Sequence, residues 1–233
     1  GDLSMKGLPY WDETFMDMKI ELAGTHKKDL DEILTDLTGR RIKSVPDIIN
    51  KFGNINFKGR FTGFQNDFIA YGEFKTKLGR LESDVNMKID EQGIPSYVGY
   101  VKTHDFHIGE LINEQLLGRI TSQLHIKGRG TEIKDLDEEL KGHISHIDFK
   151  DYRYQNIDIN GTFKKKFFEG NLSVNDKNVQ LDFDGGVDLN PELPVFNFKA
   201  NLKNARLKTL KLYKDSLMLD ASLSSNFSGS NLD

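Results

Sequence analysis

Apolar and polar residues alternate along most of this chain with a period of two. The stretch NVQLDFDGGVDLN is typical, because an apolar residue occupies nearly every second position and polar or acidic residues lie between. Its apolar residues are Val179, Leu181, Phe183, Val187 and Leu189. In a β-strand this period places one set of side chains on each face. The pattern therefore predicts strands with one apolar face and one charged face.

The same alternation predicts strands in further stretches of the chain. The apolar positions of all these strands are Ile55, Phe57, Phe61, Phe68, Ala70, Phe74, Val85, Met87, Ile120, Leu124, Ile126, Ile157, Ile159, Phe163, Leu172, Val174, Val179, Leu181, Phe183, Val187, Leu189, Phe196 and Phe198. Short connectors such as LGRL and NDKN separate the strands and carry turn residues. Such short gaps favour antiparallel hairpins, because parallel crossovers need a dozen or more residues.

Helical spacing is confined to a few short segments. They are KKDLDEILTDL at 27–37, SVPDIINKF at 44–52, GELINEQLL at 109–117 and LKTLKLYKD at 207–215. These segments are too few and too short to cover more than the ends of a long sheet.

Similar stretches recur along the chain and predict a repetitive array. The strands GNINFKGRFTG, GRITSQLHIKG and LDASLSSNFSG align without gaps, and GEFKTK resembles GTFKKK. They indicate repeat blocks at 1–63, 64–128 and 129–229 within a single repetitive β-domain over residues 1–233. Because the chain begins in mid-pattern, we interpret it as a piece of a longer protein.

Composition narrows the class of protein. Apolar residues make up 37% of the 233 residues and charged residues 29%, a balance that suits a sheet with one wet face. The net charge of −4 offers no basic surface, so we do not expect nucleic acid as a partner. The absence of cysteine excludes disulfides and thiolate metal sites. No apolar run is long enough to predict a membrane-spanning helix.

None of the candidate catalytic or metal-binding motifs in the sequence has the full set of residues that its chemistry requires. GRGTEI lacks the third glycine of a dinucleotide fingerprint, and DFDGGVD keeps the strand period where a calcium loop would break it. His104 and His107, like His143 and His146, lack a nearby third ligand in the sequence. We interpret them as surface histidines, expect no metal, cofactor or catalytic residue, and predict that the protein is not an enzyme.

Three neighbouring lysines, Lys164, Lys165 and Lys166, suggest contact with anionic lipid or, more simply, a solvated turn. We favour the solvated turn.

The apolar face of a long sheet must be hidden by a second sheet, by helices, or by curling around an apolar guest. Glycines at Gly59, Gly72, Gly161 and Gly185 fall in the apolar phase, where they allow a sheet to bend. On the residues alone, a curled all-β antiparallel sheet and an ordinary two-sheet β-sandwich both remain open.

Two long stretches carry a resemblance to a known family. They are GNINFKGRFTGFQNDFIAYGEFKTKLGRLESDVNMKI and FKDYRYQNIDINGTFKKKFFEGNLSVNDKNVQLDFDG; in the second, Tyr152, Tyr154, Asn156 and Ile157 lead into G-x-F. This succession of strands resembles the AsmA-like superfamily, specifically TamB-type envelope proteins of Gram-negative bacteria. The resemblance implies a U-shaped β-groove with an apolar interior, located in the periplasm, in a parent protein anchored in the inner membrane. It implies no catalytic residues.

The resemblance also implies a function and partners. The leading expectation is a non-catalytic groove that binds the acyl chains of phospholipid or other lipid, as part of a bridge between the inner and outer membranes. The alternative is a scaffold or chaperone for the insertion of outer-membrane β-barrel proteins, with a barrel protein of the TamA type as partner. A carbohydrate-binding solenoid is less favoured, because few aromatic residues are expected on the polar face.

Overall fold

The chain folds into one long antiparallel sheet. The computed structural model describes residues 1–8, 10, 13–25, 47–130, 137–164, 167–190 and 192–229. The strands are β1 (Asp2–Lys6), β2 (Phe15–Thr25), β3 (Ile55–Phe64), β4 (Asp67–Thr76), β5 (Gly79–Ile89), β6 (Pro95–His107), β7 (Leu117–Arg129), β8 (Asp137–Phe149), β9 (Tyr152–Lys164), β10 (Phe167–Asp176), β11 (Val179–Asp188), β12 (Val195–Arg206) and β13 (Met218–Ser228).

All 13 strands pair in chain order, and each is antiparallel to the next. Strands β1 and β13 lie at opposite edges, so the sheet is not closed into a barrel. This architecture confirms the predicted all-β class and the curled antiparallel sheet. No second sheet packs on the first within the part of the chain that the structure describes.

Helices are few in the described ranges: α1 (Ile108–Ile112) and a 3-10 helix at Asp47–Phe52. The helix predicted at 109–117 is therefore only five residues long, and the one predicted at 44–52 is a 3-10 helix. The helix predicted at 207–215 is wrong: this segment forms turns, with one helical hydrogen bond from the Leu210 amide to the Arg206 carbonyl. The segment 27–37 lies outside the described residues. No helix among the described residues has the length and apolarity to cross a membrane.

The pairing register sorts the side chains onto two faces. Leu172 lies opposite Phe183 and Phe183 opposite Ala200, so apolar residues of neighbouring strands form continuous rows. Every apolar position predicted from the alternation falls on this one face, which we call the apolar face, except Leu189. Leu189 follows the end of β11 and is 46% exposed.

Five strands were not predicted from the alternation: β1, β2, β6, β8 and β13, the last of which was indicated only by the repeat LDASLSSNFSG. Bulges interrupt the pattern in three of them, β2, β6 and β8. In β8, Ile144 and Ile147 lie opposite Ser122 and Ile120, so an odd spacing still places both on the apolar face. In β6 the register shifts between Thr103 and Phe106.

The buried core lies along one side of the sheet, where β4 meets β5 and β8 meets β9; we call this the covered side. Its buried residues are Leu78, Phe106, Ile120, Ile144, Ile157, Val174, Val179, Ala205 and Leu210. The 3-10 helix, α1 and the connection after β12 pack over these strand ends. Lys51 joins the two helices, because its Nζ donates to the Leu111 carbonyl at 2.6 Å and to Asn113 Oδ1 at 2.7 Å.

Glycines let aromatic rings lie against the backbone of the sheet. Gly59 and Gly72 face each other on β3 and β4, and the Phe57 ring lies where a Cβ on either would sit, 2.7 Å from the Gly72 position. A side chain at Gly72 would therefore displace this ring. Such aromatic cover of strand glycines is a device that shapes curved sheets.

We predict that Gly185→Ala destabilises the protein and that its neighbour Gly186→Ala does not. Gly185 has φ +131° and a Cβ there would lie 2.6 Å from the Phe198 Cα, so alanine should cost about 1–3 kcal/mol or more. At Gly186 the nearest atom to a new Cβ is 3.5 Å away. Chemical unfolding of both variants measures the difference, and equal stability of the two would contradict the prediction.

Candidate functional site

A groove of about 910 Å³ lies against strands β8 to β13. Its lining is centred on one row of the apolar face, which we call the central row. The row consists of Gly142, Ile159, Leu172, Phe183, Ala200 and Leu223. Most of the lining surface is apolar, because the residues before and after each member point to the other face and contribute mainly backbone.

A ladder of phenylalanines borders the groove on the side away from the core. Ring centroids are 4.7 Å apart for Phe163 and Phe168, 5.8 Å for Phe168 and Phe183, and 5.1 Å for Phe183 and Phe198. The rings are tilted by 32–41° to one another. All four are only half-buried. The ladder therefore forms a continuous aromatic surface beside the groove, and Phe183 is the ring of the four that lines it.

Groove access differs between the covered side and the β13 edge. Ile157 and Val174 belong to the buried core near the covered side. At the β13 edge, by contrast, Leu223 is 57% exposed and Phe227 37% exposed. The groove thus closes towards the core and opens at the last strand.

A second aromatic group lies at the other end of the same face. Phe57 pairs with Phe74 at 4.6 Å between centroids, and Phe61 with Phe68 at 4.5 Å. Between the two aromatic groups, strands β5 and β7 keep apolar residues such as Val85, Leu124 and Ile126 on this face. The Thr103 and Ser122 hydroxyls, hydrogen-bonded at 2.8 Å, add a polar contact among them.

Two carboxyl groups, those of Glu138 and Asp176, are buried on the apolar face. Glu138, on β8, is 8% exposed and accepts a hydrogen bond from the Tyr97 hydroxyl. Its carboxyl lies over Gly128, where any Cβ would collide with it. Burial raises the pKa of Glu138 to about 7, while the Tyr97 hydrogen bond opposes that rise. Burial and the Glu138 hydrogen bond raise the pKa of Tyr97 as well.

The opposite face carries charges that are paired and solvated. Lys127 binds Glu139 at 2.8 Å, and Arg60 binds Asp17 with two hydrogen bonds. The Arg60 guanidinium lowers the pKa of Asp17. Pairs exposed to this degree contribute little to stability, so this face serves mainly to keep the sheet in water.

The histidines discussed in the sequence do not converge on a metal site. His104 Nε2 lies 3.0 Å from Glu82, while His107 Nδ1 accepts the Glu110 amide at the start of α1. His143 Nδ1 lies 2.8 Å from Asp158. Among the described residues, no cluster of histidine, aspartate or glutamate could hold a metal ion.

The structure describes all of the DFDGGVD motif and part of the GRGTEI motif. DFDGGVD lies inside β11, where Asn171 donates a hydrogen bond to the outward Asp184. Residues 131–133 of GRGTEI lie outside the described residues, as do Lys165 and Lys166. Lys164 forms an exposed ion pair with Asp137 at 2.9 Å.

Several residues of the apolar face were missed by sequence reasoning. Phe168 lies next to Phe167, so the alternation does not show which of the two lies on this face. Leu223 is set among serines and gave no strong apolar period. Glu138 breaks the pattern altogether, because a carboxylate on an apolar face is expected to be rare. Pairing register was the missing information in each case.

Comparison with known proteins adds no family. No family model, curated protein or solved structure matches the chain.

We predict that Glu138 makes the protein less stable as pH rises. Its pKa is higher in the folded protein, at about 7, than the ordinary 4.5, so the folded state retains a proton that the unfolded state loses. The stabilising contribution is complete below about pH 4.5 and is lost as pH rises to about 7. The full shift corresponds to about 3.5 kcal/mol, and screening by solvent at this partly accessible carboxyl reduces the expected loss to roughly 2–3 kcal/mol.

Unfolding by urea between pH 5 and 8 measures this loss. Glu138→Gln should flatten the decline, whereas Glu139→Gln, which removes a carboxylate from the solvated face of the same strand, should leave it unchanged. The same slope in wild type and Glu138→Gln would contradict the assignment.

Proposed function

We propose that the protein is a non-catalytic lipid-binding segment, and that acyl chains lie in the groove over the central row. The observation that carries this proposal is a continuous apolar row across six strands in an open groove of about 910 Å³. The volume is near the upper end of the range for small-molecule sites. An open apolar surface of this length suits an extended, flexible hydrocarbon better than a compact polar substrate.

Burial of hydrocarbon supplies the driving force. Each buried methylene contributes about 0.8 kcal/mol, before the costs of ordering the chain and losing its free motion. The central row and the phenylalanine ladder offer similar apolar contacts on consecutive strands. A chain can therefore shift along the groove without losing all its contacts at once, which is the property a transfer path needs.

The sequence resemblance adds a proposed cellular context. If the chain is a TamB-type member of the AsmA-like superfamily, it acts in the periplasm, in a parent protein anchored in the inner membrane. There it would form part of a route for phospholipid towards the outer membrane. A repetitive one-sided sheet is the architecture that such a route requires, and this agreement supports the proposal.

The alternative function is assistance to outer-membrane β-barrel proteins, with a TamA-type barrel as partner. An extended strand with alternating apolar residues would place its apolar side chains in the same groove. This alternative predicts binding of barrel-strand peptides in preference to lipid.

Filling the groove without adding charge tests lipid binding. We predict that Ala200→Trp, in the central row between Phe183 and Leu223, lowers affinity for a fluorescent phospholipid at least tenfold by occupying the space of the acyl chain. Lys199→Trp places the same side chain on the exposed, opposite face of β12 and should bind normally. Circular dichroism checks that both variants fold.

Two results would contradict lipid binding. One is equal affinity of wild type and Ala200→Trp; the other is absence of lipid binding by the wild type together with binding of an alternating barrel-strand peptide. The second result would favour the assembly role.

A further inference from the structure

Glu138 differs from the other buried carboxyl group of the apolar face in how few hydrogen bonds it accepts. Asp176 accepts three, from the Tyr152 hydroxyl and from the backbone amides of Gln155 and Asn178. Glu138 accepts one, from the Tyr97 hydroxyl to Oε1, within the part of the chain that the structure describes. Since a carboxylate offers about four acceptor positions, Glu138 retains most of its capacity to bind a donor.

No basic side chain among the described residues neutralises Glu138. The basic residues that flank Gly128 and Phe163, its neighbours in the pairing register, bind other carboxylates. These ion pairs are Lys127 with Glu139 at 2.8 Å, Arg129 with Asp90 at 2.7 Å and Lys164 with Asp137 at 2.9 Å. A buried carboxylate without a cation is costly, so Glu138 is expected to take up either a proton or a cation from outside the chain.

The surroundings of this carboxyl group fit an ammonium ion. Both carboxyl oxygens lie over Gly128, whose missing side chain leaves the space for them. In the pairing register this row runs from Tyr97 through Gly128 and Glu138 to Phe163 and Phe168. Aromatic rings attract cations through their faces, and the Tyr97 hydroxyl, which donates to Glu138, can still accept a hydrogen bond. A primary ammonium group has three donors for these two acceptors.

The position of Glu138 relative to the groove matches a ligand with an apolar tail. Glu138 lies on β8 four residues before Gly142 of the central row, roughly 13 Å along the strand. It lies at the same border of the groove as the phenylalanine ladder, because it is opposite Phe163. A head group at Glu138 is therefore within reach of a tail over the central row.

We propose that Glu138 and Tyr97 form a subsite for the primary ammonium head group of a lipid whose tail occupies the groove. The ammonium group donates to the Glu138 carboxylate and to the Tyr97 hydroxyl oxygen, and its charge replaces the proton that otherwise neutralises Glu138. This inference rests on the proposed lipid binding and adds the class of head group that the groove selects.

Selection of the ammonium group should be stronger at pH 8 than at pH 5.5. Burial raises the pKa of Glu138 to about 7, and the charge of Asp137, adjacent on β8, acts in the same direction. Glu138 is therefore largely ionised at pH 8 and protonated at pH 5.5. An alkylammonium group, with a pKa near the lysine value of about 10.4, stays charged at both. Tyr97 keeps its proton at both, because burial raises its pKa.

Two pairs of matched ligands test the subsite by isothermal titration calorimetry with the intact chain. Dodecylamine and dodecanol share a tail and differ in the ammonium group. At pH 8 the wild type should bind dodecylamine at least about tenfold more tightly, the ratio expected of one charge-assisted hydrogen bond, and the ratio should fall towards one at pH 5.5. Dihexanoyl phosphatidylethanolamine and phosphatidylcholine differ only in whether the ammonium group can donate. A preference for the former identifies phospholipid heads as ligands, and a preference confined to dodecylamine identifies single-chain amines.

The variants separate the subsite from general attraction of a cation to an acidic protein. Glu138→Gln should bring the ratio of dodecylamine to dodecanol affinity close to one at pH 8. Glu139→Gln removes the same charge from the solvated face of β8 and should keep the wild-type ratio. Circular dichroism checks that both variants fold.

Three results would overturn the proposal. They are equal affinity of the wild type for dodecylamine and dodecanol, a preference that persists in Glu138→Gln, and a preference that is the same at pH 5.5 and pH 8. Each of these leaves lipid binding itself intact as long as dodecanol binds. If none of the four ligands binds, lipid binding and the subsite are both wrong.

Discussion

The pairing register is the constraint on which the rest of the structure depends. Each side chain's face is set by which residue it opposes, and a slip of one residue would exchange the two faces. In β9 to β12 the register holds Ile159, Leu172, Phe183 and Ala200 in one row. Because no second sheet covers this row within the described residues, the register that builds the fold also creates an open apolar groove.

A packed core and an open apolar surface occupy different parts of the same face. The covered side concentrates the fully buried residues, including Leu78, Phe106 and Leu210, beneath short helices and the connection after β12. The remainder of the face stays half-exposed, with phenylalanine rings resting against glycines of neighbouring strands. A one-sided sheet can leave apolar surface open in this way only if another part of it supplies a packed core.

Much of this fold was predictable, and the exceptions have physical causes. The stretch from Val179 to Val187 keeps one phase throughout, with Gly185 in place of an apolar side chain, so its face followed from the sequence alone. Strand β8 did not, since the bulge near Ser145 changes its phase and Glu138 occupies an apolar position. An alternating pattern also carries no information about the direction of a strand. The similar segments GEFKTK and GTFKKK are an example: the first lies in β4 and the start of the second in β9, and these two strands run in opposite directions in the sheet. Pairing order, and hence the groove itself, is a non-local property that alternation cannot specify.

The central claim is that hydrocarbon occupies the apolar face along the central row. A phospholipid carrying a photoreactive diazirine in its acyl chain, irradiated with the intact chain and mapped by peptide mass spectrometry, tests this directly. The account predicts adducts on residues of the central row and the phenylalanine ladder, notably Leu172, Phe183 and Leu223. Adducts confined to the charged face, or spread equally over both faces, would contradict it.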